Sequence, residues 1–125
     1  SFAGRPNAQL PPVGRAFLRT FGSTQTSSRQ TSYAAAYAAQ ATEVLLSAIA
    51  RSDGTRASVT KELFAAEVRG GILGSFRFTS DGDMTPTPVT IFRVVGGKLP
   101  SSTQLPDFAG SVVDRVIDVP VELVR

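Results

Sequence analysis

The chain has 125 residues, a formal net charge of +3 and no Cys or His. Missing thiols and imidazoles exclude disulfides, Cys or His nucleophile–base pairs and the usual zinc ligand sets. The basic residues are scattered, with Arg5, Arg15, Arg29, Arg56 and Arg93 far apart and no five-residue basic window, so nucleic acid is not an expected partner.

In chain order, Ser1–Gln9 reads as an extended entry broken by Gly4 and Pro6. Pro11 and Pro12 suit a first helical turn, and Val13, Phe17 and Phe21 recur every four residues, so a helix is expected over about 12–21. Ser23–Ser32 is a polar loop whose end can cap the next element. That element is YAAAYAAQATEVLLSAIAR, a helix over 33–51 built on Ala, the residue that loses least entropy on becoming helical. Tyr33, Tyr37, Ala41, Val44 and Ala48 share its inward face, which Leu45, Leu46 and Ile49 are expected to widen; Gln40, Glu43 and Ser47 form a narrow polar line. Gln40 and Glu43 argue against a membrane span.

Ser52-Asp53-Gly54-Thr55 is turn chemistry, and Ser58 is the expected cap of a third helix over about 58–68, stopped by Gly70-Gly71. The period then changes to two. Ile72–Thr79 and Val89–Val95 are expected to pair as a β-hairpin (72–79 with 89–95) around Asp81-Gly82, Pro86 and Pro88 placing the second arm's start at an edge. From Lys98 the chain reads as loop, followed by an extended C-terminal tail with one or two short strands in Ser111–Val124. The fold class is α/β in a single unit, and the lack of an initial Met or apolar leader leads us to expect an excised or processed piece.

Chemistry-bearing patterns are sparse. Asp81-Gly82-Asp83 begins like a calcium loop, but the twelfth position from Asp81 is Phe92, so a hairpin turn is expected. The Gly70–Gly74 run lies between helix and strand, the reverse of a phosphate cradle. No Gly-x-Ser-x-Gly elbow occurs, and an enzyme is not expected. Tyr33 and Tyr37 sit in the first turns of the central helix; they pack in a core, or one ring lines a ligand cleft beside the free N–H groups of the helix start.

Two runs carry a resemblance: TSYAAAYAAQATEVLLSAIARSDGTRASVTKELF and GILGSFRFTSDGDMTPTPVTIFRVVGGK. Together they resemble the C-terminal portion of type I periplasmic solute-binding proteins, in the branched-chain amino acid branch that serves ABC transporters. The resemblance implies a partial type I periplasmic-binding-protein lobe, since family chains are roughly two to three times this length. It implies an amino acid-like ligand, an ABC permease as partner of the intact protein, no cofactor and an extracytoplasmic location. Tyr33 and Ala34, at the start of the central helix, are the implied ligand-binding residues; Ala34 departs from the aromatic common at that contact. The parallel sheet that these helices would cover lies outside the chain. A homo-oligomer is therefore expected, and weak ligand binding or none by the piece alone. A sensory ligand-binding region on the same fold and a stand-alone structural domain are the alternatives.

Overall fold

The computed structural model describes residues 2–25, 33–94 and 111–120. Its elements run β1 (Phe2–Ala3), a 3-10 turn (Asn7–Gln9), α1 (Pro12–Ser23), α2 (Tyr33–Arg51), α3 (Arg56–Phe64), β2 (Glu67–Gly71), β3 (Gly74–Phe78), β4 (Met84–Thr85), β5 (Thr87–Val94) and β6 (Ser111–Val119). The architecture is mixed α/β with two small antiparallel sheets, ordered β2-β3-β4 and β1-β5-β6.

α1 starts on Pro11 and Pro12 as expected. It crosses the β2–β3 connection at backbone distance, because Gly14 has no side chain: a Cβ there would lie 2.2 Å from the Ile72 carbonyl oxygen. α2 occupies the expected span, and Val44 and Ala48 are buried on its inward face as expected, but towards the helix start that face differs. Ala36, Gln40, Val44 and Ala48 are buried, whereas Ala41, Leu45, Leu46 and Ile49 are exposed. Gln40 was expected on the polar line, yet it is only 3% exposed. The reason is a backbone donor that periodicity does not register. The Gln40 Oε1 accepts from the Leu73 N–H at 3.2 Å, and its Nε2 donates to Glu43 at 3.1 Å. Close approach is secured from the other side by Gly71, where a Cβ would stand 2.3 Å from that Oε1.

The third helix departs from the expected 58–68. It runs Arg56–Phe64, with Thr55 rather than Ser58 as N-cap. Thr55 Oγ1 accepts from the Ser58 N–H, and the Ser58 hydroxyl accepts from the Asp53 N–H, a reciprocal arrangement that fixes the start one turn earlier. Beyond Ala65 the chain becomes β2. Val68 faces Phe76 across the ladder, and Gly70–Gly71 ends a strand instead of stopping a helix.

The expected pairing of 72–79 with 89–95 does not form. The Asp81-Gly82 turn is present, with Gly82 at φ 90° and the Thr79 N–H on the Asp83 carbonyl at 2.8 Å. Its returning arm is only β4, which pairs Arg77 with Thr85 and Phe78 with Met84. Pro86 and Pro88 lack the N–H that would extend that ladder. The chain instead passes to the second sheet, where β5 pairs with β1 and β6. The expected short-stranded tail is a nine-residue strand, β6, paired with β5 from Thr87↔Val119 to Val94↔Ser111, its register shifting between Ile91 and Phe92.

The core lies between α2 and the β2–β3 hairpin. One cluster joins Leu10, Ala36 and Ile72; a second joins Val44, Ala66 and Phe76; Leu73 packs against both. The second sheet is tied down differently. Thr90, fully buried, donates its hydroxyl to the Gly4 carbonyl at 2.6 Å, and the Gly4 N–H reaches the Pro88 carbonyl at 2.8 Å. Among the described residues, no helix is long and apolar enough to cross a membrane.

Candidate functional site

A groove of about 380 Å³ opens where the two sheets meet. That is the lower end of the range typical of small-molecule sites. Its floor is apolar: Leu10 and Pro11 ahead of α1, Leu73 and Phe76 from the hairpin, then Met84, Pro86 and Pro88 from the passage between sheets. Arg5, Arg15, Tyr37, Ser75 and Asp118 supply its polar rim.

Each rim group is held by its element. Arg5 follows β1, and its N–H donates to the Tyr37 hydroxyl oxygen at 3.0 Å, joining the N-terminal segment to α2. The Arg5 guanidinium forms an ion pair with the Asp118 carboxylate. Asp118 lies opposite Pro88 in the β5–β6 ladder, so this pair straps both flanking strands over β5. Arg15, in the first turn of α1, donates from Nη1 to the Leu10 carbonyl at 2.6 Å. That bond leaves most of its five donors available. Ser75 accepts the Gly70 N–H at 3.0 Å.

Charge and hydrogen bonding above a hydrocarbon floor are what this arrangement offers. Its carboxylate, Asp118, is engaged with Arg5. Among the described residues there is no group of His, Cys, Asp or Glu that could hold a metal ion. The Asp81-Gly82-Asp83 segment is an exposed turn away from the groove. Asp53 has its pKa held below the ordinary carboxylate value, chiefly because the Thr55 hydroxyl donates to it and then because the Thr55 N–H does. It too lies outside the groove, in the turn ahead of α3.

Tyr33 heads α2, and its side chain lies outside the described residues. Ala34 is exposed and does not line the groove. Tyr37, one turn on from Tyr33, does. Arg5, Arg15 and Asp118 were not singled out by sequence. Arg5 and Asp118 are 113 residues apart, and no local pattern relates them.

Among the described residues, two apolar faces are partly open. On α2, Leu45, Leu46 and Ile49 are 42%, 60% and 46% exposed; on β6, Val112 and Ile117 are similarly open. Comparison with family models, curated proteins and solved structures finds no match.

Proposed function

We propose that the chain is a non-catalytic solute-binding module, the C-terminal portion of the substrate-binding component of an ABC-type transporter. Its solute is a branched-chain amino acid or a similar small polar molecule. The intact protein is extracytoplasmic and delivers that solute to a permease. The observation that carries this reading is the groove itself, where apolar Leu10, Leu73, Phe76 and Met84 line the same space as Arg5, Arg15 and Asp118, charges of both signs. Such a combination of apolar lining and a few placed polar groups is the usual make-up of a small-molecule site. The Leu45–Ile49 face of α2 and the Val112–Ile117 face of β6 support a second element of the proposal, self-association of this chain.

The test is thermal unfolding of the full-length parent protein, with both lobes of the cleft, in the presence of leucine, isoleucine and valine at increasing concentration. Binding to the native state raises the midpoint progressively, by roughly 2.7 kcal/mol of stabilisation at a hundredfold excess over Kd. An unchanged midpoint with all of them, up to their solubility limits, contradicts the reading.

A further inference from the structure

Resting on the self-association in that reading, we infer that two copies of the chain join edge to edge along β6, antiparallel about a two-fold axis, doubling the β1-β5-β6 sheet. Among the described residues β6 has one strand neighbour, β5, so its other edge is open along Ser111–Val119. Such an edge is a template for a further strand.

The ladder fixes which backbone groups lie on that edge. The Gly4 N–H donates to the Pro88 carbonyl, so Pro88 turns its carbonyl towards β1. Successive residues of an antiparallel strand turn their backbone groups to opposite edges. Val89, Ile91 and Arg93 therefore turn towards β6, and their partners Ile117, Arg115 and Val112 turn towards β5. Val113, Val116 and Asp118 are left facing outward. Between Ile91↔Arg115 and Phe92↔Val113, one step on β5 matches two on β6, which makes Asp114 the extra residue of a bulge.

The bulge selects one register. Other shifts of one β6 along another set the extra residue against a regular stretch and break the ladder. Centring the axis between Asp114 and Arg115 sets bulge against bulge. Val113 then exchanges backbone bonds with Val116 of the second copy, both groups facing outward, and Val112 stands opposite Ile117 of the second copy. Asp114 comes beside the oppositely charged Arg115 of the second copy, on both sides of the axis. The run Val112-Val113-Asp114-Arg115-Val116-Ile117 is thus its own complement: apolar meets apolar and Asp meets Arg. Val112 and Ile117, 46% and 42% exposed in the single chain, gain apolar neighbours. Asp114, already 2.9 Å from Arg115 Nε and 3.9 Å from Arg93 Nε, becomes part of an alternating charge cluster at the axis.

The chain has no cysteine, so one introduced thiol is unique. The test mixes Val112→Cys chains with Ile117→Cys chains under mild oxidation. Both sites are open to solvent, so neither thiol disturbs the core. In the inferred register they form a directly opposed pair with Cα atoms about 4.5–5.5 Å apart, within disulfide reach. Each site lies about 16 Å from its own counterpart in the second copy, beyond that reach. The expected result is a covalent dimer from the mixture, roughly tenfold more than from either variant alone. Asp114→Arg, which gathers like charges at the axis, is expected to weaken association about tenfold, and Asp114→Arg with Arg115→Asp to restore it. Equal cross-linking by the separate variants overturns the edge pairing and leaves self-association standing. No cross-link in the mixture, while the mass still exceeds one chain, does the same. Association indifferent to Asp114→Arg also overturns it. A single-chain mass at every concentration overturns the inference and the self-association together.

Discussion

The two sheets differ in what covers them. The β2-β3-β4 sheet is packed against α2, where Ala36 clusters with Ile72 and Val44 with Phe76, all under 10% exposed. In the β1-β5-β6 sheet the fully buried side chain is a threonine, and apolar Val112 and Ile117 face solvent. The first sheet is held by packing; the second is held by its ladder, the Thr90–Gly4 bond and the Arg5–Asp118 strap. A nine-residue strand whose apolar Val112 and Ile117 have no helix over them among the described residues has the surface of an element meant to be covered. The outward face of α2 has the same character.

Mutation sharpens the contrast, and the largest effect belongs to the packed half. Phe76→Ala is expected to cost about 3 kcal/mol in urea unfolding, the low end for removing a buried phenyl ring. Ile117→Ala on the open sheet is expected to cost less than about 1 kcal/mol, because so much of its surface never leaves water. Equal losses at the two positions would dissolve the distinction. Next in size is Gln40→Leu, expected to cost roughly 1–3 kcal/mol, since it leaves the Leu73 N–H without its acceptor in a closed interface. Thr90→Val tests the other sheet's fastening. It removes the hydroxyl that serves the Gly4 carbonyl, for about 1 kcal/mol, and should speed amide exchange in β1 ahead of the hairpin.

The smallest effect is the acid response of the turn before α3. Donation from Thr55 holds the Asp53 pKa in the folded chain below its unfolded value. The stabilisation is therefore present above the unfolded value and is lost as pH falls through the folded one. Asp53 is fully exposed, so the effect is slight. Comparison of Asp53→Ala with the parent across that acid limb should show a narrowing gap as pH falls.

What could be read from sequence follows from how local each determinant is. The bounds of α2 are legible because Ala-rich helix propensity and the Ser52–Thr55 turn are written in adjacent residues. The Asp81-Gly82 turn is legible for the same reason. The inward face of α2 is not. Gln40 is buried by a bond to Leu73, 33 residues away, and helical periodicity alone places a polar amide outward. Leu63, Phe64 and Val68 fit a helical face, yet Val68 belongs to a strand because Phe76 stands opposite it. The strand pairing failed at Pro86 and Pro88, whose effect on the start of 89–95 was visible but not its consequence, transfer of β5 to a different sheet. The groove was the least legible feature. Arg5, Arg15, Tyr37 and Asp118 meet only after both sheets have formed, and charge scattered along the sequence is gathered there in space.

We propose that the open faces of α2 and β6 belong against another polypeptide layer, which copies of this chain supply to one another in isolation. Light scattering coupled to size-exclusion chromatography, over a wide range of loading concentrations, tests it most directly. The mass is expected to rise from the 13.2 kDa of one chain towards at least twice that value, and Leu46→Glu to return it to the single-chain mass. A mass fixed at 13.2 kDa at every concentration would contradict it.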